Sequence, residues 1–179
     1  MVSLVIGGAC SGNSRFAQSL GASSQRAFYI ATARPEDAEM EARIAEHRRQ
    51  RPAHWCTIEA PLEIAAVVER HRGECDFLLL DCLTVWLSNH CWQHRDRPEG
   101  EIETAALAEV ERLAARTTEA HVVIVTNEVG CGIVPETPIG RFFRDLQGRI
   151  NQTAARLADQ VILVVAGLPM VIKQPEARR

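Results

Sequence analysis

Gly7 and Gly12 stand five residues apart, and Ser14 follows two positions on, in the run Leu-Val-Ile-Gly-Gly-Ala-Cys-Ser-Gly-Asn-Ser from Leu4 to Ser14. This spacing suits polyphosphate binding: glycines after a buried strand let successive backbone N–H groups wrap an anion, and the following helix N-terminus adds partial positive charge. The complete pattern is G-x-x-x-x-G-K-[S/T], in which the lysine adds a full charge at the β/γ phosphates and the hydroxyl joins a magnesium shell. Gly7, Gly8, Ala9, Cys10, Ser11, Gly12 and Ser14 fit that pattern, but Asn13 occupies the lysine position. Asparagine donates a hydrogen bond and carries no charge. Glycine-rich turns between strand and helix also serve packing alone, so the loop by itself leaves both readings open.

Asp81 favours the chemical one. Four apolar residues, Phe77 to Leu80, precede it. A carboxylate at the end of a buried strand is the second element of such sites, where it holds magnesium through water. Strand-end aspartates also cap turns; the loop and Asp81 on one parallel sheet make nucleotide binding the stronger reading. His47 lies on the face of a helical pattern with Met40 and Ile44, and Arg43 and Arg51 sit four residues to either side. Nearby cations disfavour imidazolium, neutral imidazole is a nucleophile, and arginines clamp phosphates. A half-exposed histidine at an arginine-rich helix end fits the same residues. Asn127-Glu128-Val129-Gly130 offers a carboxylate after another strand, either for chemistry or for bracing a loop. Asn89-His90-Cys91-Trp92-Gln93-His94 lacks a second ligand pair at zinc spacing. With Trp86 and Leu87 it reads instead as a solvent-side or packing surface, such as one between subunits.

These residues need a frame, and apolar runs alternating with helical patterns supply an α/β one. Val2–Ile6, Ala27–Ala33, Phe77–Leu80 and Val122–Val125 read as strands. Helices are expected from Ser14, over Pro35–Gln50, over 101–118 and along Phe142–Leu157. Val161–Val165 and Met170–Ile172 flank Gly167-Leu168-Pro169 as an edge hairpin. Parallel sheets bind ligands beyond their carboxyl ends, where the loop, Asp81 and Asn127 all fall.

The 179 residues are expected to form a single nucleotide-binding domain, 46% hydrophobic and 24% charged, without repeat or linker. A formal charge of -3 argues against a general nucleic-acid or membrane-surface binder. No signal-like segment and no membrane-length apolar run is present. Six cysteines (Cys10, Cys56, Cys75, Cys82, Cys91, Cys131) without a C-x-x-C pair read as reduced thiols in the cytoplasm.

Over nearly its whole length the chain resembles the bifunctional adenosylcobinamide kinase/adenosylcobinamide-phosphate guanylyltransferases of cobalamin biosynthesis. The resemblance rests on the loop of residues 7–14, Tyr29-Ile30-Ala31-Thr32, Arg43-Ile44-x-x-His47-Arg48 and Arg51-Pro52-x-x-Trp55. It continues through Thr57-x-Glu59, Leu80-Asp81-Cys82-Leu83-Thr84, Thr126-Asn127-Glu128-Val129-Gly130, Arg144-Asp145-Leu146-x-Gly148-Arg149 and Val165-Ala166-Gly167-Leu168-Pro169. It implies a RecA-like P-loop fold, a corrinoid substrate, GTP (or ATP) with Mg2+, and a homotrimer. It also implies that His47 carries GMP covalently, that Ser14 and Asp81 hold the metal, and that Thr32, Ala33, Arg34, Arg48, Arg49, Gln50, Arg51, Glu59 and Asp81 contact nucleotide. The family loop reads Gly-Gly-Ala-Arg-Ser-Gly-Lys-Ser; Cys10 and Asn13 replace both of its cations. A weakened kinase half follows as an expectation, with a GTP- or corrinoid-binding regulatory subunit as the alternative. A small kinase for another substrate fits less well, since it needs the lysine more.

Overall fold

This computed structural model describes residues 1–35, 37–49, 51–71, 73–115 and 120–175. Their elements are β1 (Val2–Gly7), α1 (Asn13–Leu20), β2 (Ala27–Ala31), α2 (Ala38–Arg49), β3 (Cys56–Glu59), α3 (Ile64–His71) and β4 (Phe77–Asp81). Then follow α4 (Leu83–Gln93), α5 (Glu99–Ala115), β5 (His121–Asn127), α6 (Pro138–Leu157), β6 (Gln160–Val165) and β7 (Leu168–Lys173). The strands form one sheet in the order β3-β2-β4-β5-β1-β6-β7. All pairings are parallel except β6 with β7, the expected C-terminal edge hairpin.

The period of two along each strand sends side chains into separate cores on the two faces. Leu78 and Leu80 join Leu4, Ile30, Val122 and Ile124 beneath α3, α4, α5 and α6. Phe77 and Leu79 join Val5, Tyr29, Val123 and Val125 on the opposite face, which Ala17 of α1 and Trp55 help to cover. Burial on both faces explains why Phe77 to Leu80 is apolar without alternation.

Register then brings the chemistry-bearing residues to one edge. Gly7 pairs with Asn127, Ala31 with both Asp81 and Glu59, and Leu80 with Ile124. The carboxyl ends of β1, β5, β4, β2 and β3 therefore form a continuous rim, with β5 between the loop strand and the aspartate strand. β2 stops at Ala31, two residues short of the expected strand. The reason is Thr32, whose N–H donates to the Asp81 carbonyl and whose hydroxyl donates to the Cys82 carbonyl at 2.9 Å, turning the chain off the sheet. The Asp81–Cys82 peptide beside it is cis.

α2 begins at Ala38 rather than Pro35, after Asp37 accepts the Met40 N–H at 2.7 Å in the manner of an N-cap. Its expected last residue, Gln50, lies outside the described residues, as do 116–118 of the expected 101–118 helix. The predicted packing surface around residue 90 is corrected. Trp86 and Leu87 are fully buried in the chain's own core, and Asn89 and His90 are buried with them, leaving Trp92 exposed. No described helix is long and apolar enough to cross a membrane.

Candidate functional site

The loop between β1 and α1 is shaped by two glycines. At Gly7 an added Cβ would lie 2.2 Å from Ser11 Oγ and 2.8 Å from the Val164 carbonyl oxygen, so a side chain there collides with its own loop. Gly12, immediately before α1, has φ +91°, a conformation that glycine adopts without steric cost. Cys10 also adopts positive φ, 56°. The turn of the edge hairpin leans on this loop: the Gly167 N–H donates to the Ser11 carbonyl at 2.8 Å. No acidic side chain occupies the first turn of α1, and no side chain caps it. Its N-terminal dipole is thus available to an anion.

Asn13 does not point where a phosphate-binding lysine would. It is buried, and its Nδ2 donates to the Thr126 carbonyl at 3.2 Å and to Asn127 Oδ1 at 2.9 Å, while Oδ1 accepts the Ser14 N–H at 3.0 Å. The amide is used to fasten the loop to the end of β5. A polar network behind it includes Thr126, Gln147 and Asn151 from α6. Ser14 Oγ, in contrast, donates to Asp81 Oδ1 at 3.2 Å. Tyr29 donates its hydroxyl to the other oxygen, Oδ2, at 2.6 Å.

A cleft of about 980 Å3 opens in front of these groups, at the upper end of the range for small-molecule sites. Ala9, Cys10, Gly12, Asn13, Ser14 and Asp81 line it together with His47, Arg48, Arg49, Arg51 and Glu59, and so does Ala33. Two segments read separately from sequence thus border one space. Met40, Ile44 and Val85 supply an apolar surface beside Tyr29, suited to a planar base or another flat group. Gly7, Gly8 and Ser11 do not line the cleft: Gly7 is buried, Gly8 is exposed away from it, and Ser11 is half-buried with its hydroxyl buried without a partner. Thr32 is fully buried and Arg34 half-buried, both outside the cleft wall. Thr32 serves the strand ends instead, with Asn89 Nδ2 donating to its carbonyl at 2.8 Å.

The arginines are distributed unequally. Arg48 pairs with Glu59, fastening the end of α2 to the end of β3, and Arg49 pairs with Glu46. Arg51 lies beyond α2 rather than on its face. Its guanidinium stacks 3.6 Å from the Tyr29 ring centroid, NH1 donates to Thr57 Oγ1 at 3.2 Å, and Nε is buried without a partner. Of the arginines expected beside His47, the Arg43 side chain lies outside the described ones.

Tyr29 is the residue that sequence reasoning did not single out. Burial and the Asp81 carboxylate push its phenol far above the ordinary value of 10, so it is a permanent donor. The available signal was the chain's single tyrosine placed two residues before a strand end. Asn127, noted from sequence without an assigned role, proves to be the anchor of Asn13.

Magnesium fits this donor set in a limited way. Ser14 and Asp81 offer hard oxygens side by side, and the described residues contain no group of three or more metal-binding side chains. That suits a cation held through one or two protein oxygens plus substrate phosphates, as Mg2+ is, and not an all-protein cage.

Comparison with solved structures shows the fold. A prototypical ATPase from the type III secretion system of pathogenic bacteria superposes with a TM-score of 0.60 at 11% identity, over 90% of this chain and 50% of that one. The ATPase EscN of the enteropathogenic E. coli type III secretion system gives 0.55 at 12%, over 92% and 42%. This chain spans about half the length of these neighbours, and the shared architecture is that of RecA-like P-loop ATPases. Among curated proteins, the bifunctional adenosylcobalamin biosynthesis protein CobP of Pseudomonas aeruginosa is 45% identical over 97% of this chain and 98% of its own length. The corresponding protein CobU of Escherichia coli is 41% identical over 97% of this chain and all of its own. The family described as cobinamide kinase / cobinamide phosphate guanyltransferase matches residues 3–172. With fold, rim and relatives in agreement, the chain belongs to the cobinamide kinase / cobinamide phosphate guanyltransferase family.

Proposed function

We propose that this chain, acting as one nucleotide-binding domain over residues 1–179, transfers GMP from GTP to adenosylcobinamide phosphate through a covalent GMP–histidine at His47. The observation that carries this reading is that His47 lines the same cleft as the phosphate loop and Asp81. A ring nitrogen of His47 attacks the α-phosphorus; the new P–N bond forms as the P–O bond to pyrophosphate breaks. The phosphate oxygen of the corrinoid substrate then attacks that phosphorus, the P–N bond breaks, and adenosylcobinamide-GDP leaves with the imidazole restored. Loop residues 8–14 hold the triphosphate through those backbone N–H groups not already bonded within the loop, as those of Ser11 and Ser14 are, and Arg48, Arg49 and Arg51 neutralise it; Gln50 belongs with them by resemblance alone. Ser14 and Asp81 would hold Mg2+, which when bound neutralises charge on the phosphate oxygens.

Phosphorylation of adenosylcobinamide by GTP or ATP is the second activity of this reading, and the weaker one. It acts directly at the γ-phosphate, where Asn13 supplies no charge and is turned toward Asn127. Loss of one preorganised donor costs about 100- to 1,000-fold in rate. The setting we assign is cytoplasmic, consistent with six free thiols, and the assembly is a homotrimer, as the resemblance implies.

The test is intact mass after incubation with GTP and Mg2+, followed by peptide mapping. A GMP-sized adduct on His47, absent from His47→Ala, is expected. If wild type stays unmodified while Asn13→Lys labels, the altered loop has disarmed the site; if neither labels, the histidine mechanism is overturned.

A further inference from the structure

Tyr29 is buried at 2% exposure in β2, two residues before the strand's end. Its strand position pairs with Leu79 and Thr57, whereas Asp81 pairs with Ala31. The hydroxyl must therefore climb two residues along the sheet, roughly 6.6 Å at strand rise. A phenol spans that distance and an aliphatic side chain does not. At the top it donates to Asp81 Oδ2 at 2.6 Å while Ser14 donates to Oδ1 at 3.2 Å. Hydroxyls on both oxygens fix the plane of the carboxylate.

The same side chain makes a second contact with its face. Arg51 stacks on the ring at 3.6 Å and is pinned further by Thr57. Arg51 ends the segment that leaves α2 and lies four residues beyond His47. The described side chains of α2 are all exposed or half-buried, so none of them fixes the helix by deep burial. Tyr29 is thus bound at one end to the carboxylate beside the phosphate loop and at the other to the chain that presents the nucleophile.

We propose that Tyr29 is the positioning residue of this site: its hydroxyl sets the Asp81 carboxylate for Mg2+–nucleotide, and its ring seats Arg51 and with it the His47 segment. This rests on the guanylyl-transfer reading above. The two arms separate by substitution. Tyr29→Phe keeps the ring and the Arg51 stack but removes the hydrogen bond to Asp81. Tyr29→Leu removes both.

Calorimetric titration with GTP, in Mg2+ and again in EDTA, distinguishes positioning from general support. Tyr29→Phe should bind GTP about tenfold more weakly in Mg2+, the lower range for losing a hydrogen bond to a charged group. Its affinity in EDTA should stay close to wild type, and its melting temperature should fall by a few degrees, the scale of one lost hydrogen bond. Tyr29→Leu, if it folds, should in addition label His47 more slowly at saturating GTP. Equal affinity of Tyr29→Phe and wild type in Mg2+ would overturn the positioning role alone, as would a loss of the same size in EDTA. Absence of GTP binding by wild type would instead overturn the functional reading on which it rests.

Discussion

Asn13 shows how one substitution reassigns a position. The pattern asks for a cation reaching outward over the loop, and the structure supplies an amide folded inward, with donors on Thr126 and Asn127 and its acceptor on the Ser14 N–H. Gly7, Gly12 and the backbone hydrogen bonds from Ser11 to Gly8 and from Phe16 to Gly12 shape the loop, and the Asn13 amide ties it to the end of β5. What it lacks is charge. Asn13→Lys should therefore tighten Mg2+–GTP binding by about tenfold or more, the scale of one charge-assisted hydrogen bond. It should raise kinase turnover by a larger factor than guanylylation of His47, because the γ-phosphate is the group being moved in the first and part of the leaving group in the second. The same variant leaves Asn127 Oδ1 and the Thr126 carbonyl without their donor, so a small fall in melting temperature accompanies the gain. Affinity and both turnover rates unchanged in Asn13→Lys would show that the arginines across the cleft already supply the missing charge.

Among the elements, α2 stands apart. The central strands β1, β4 and β5 are buried on both faces, whereas every described side chain of α2 is exposed or half-buried, and the segment is tied by Arg48–Glu59 and Arg51–Tyr29. An exposed ion pair contributes about 0–1 kcal/mol. A helix held this way opens more readily than the core. Amide hydrogen exchange should be fast across residues 38–49 relative to β4, and Mg2+–GTP should slow it in α2 more than in β4. Equal protection of the two without nucleotide would contradict this. The contrast also explains what was legible. β1, β4 and β5 announce themselves as apolar runs, and the loop, Asp81 and His47 are read from residues adjacent in sequence. β3 is four residues long with little buried side chain, α3 is too short for its buried Ile64, Ala65 and Val68 to declare a helical stripe, and α4 sets polar Asn89 and His90 on the face that buries Leu83, Trp86 and Leu87, which blurs the amphipathic stripe. Tyr29 escaped because its role is set by register with β4, which no local pattern contains.

The whole molecule has one unfinished boundary. β3 ends the sheet on one side, short and polar. On the other, all six residues of β7 are exposed, and Leu168, Met170, Val171 and Ile172 follow the exposed Val165 across the turn. Among the described residues Pro169 and Lys173 blunt this edge, and Lys173 is occupied with carbonyls at the end of α6. Long exposed apolar edges are covered in natural proteins, and the homotrimer proposed above would give β7 a cover. The turn that joins β6 to β7 also touches the phosphate loop through Gly167 and Ser11. Burying β7 against another copy would thus steady the loop, and by linkage nucleotide would favour assembly. Light scattering at micromolar concentration should give the mass of three 19.8 kDa chains. Met170→Glu should lower that mass and weaken GTP binding together, because a carboxylate in an apolar contact is costly to desolvate. A wild-type monomer would remove the trimer. A trimer unaffected by Met170→Glu would place the contact elsewhere and leave the edge hairpin to the phosphate loop alone.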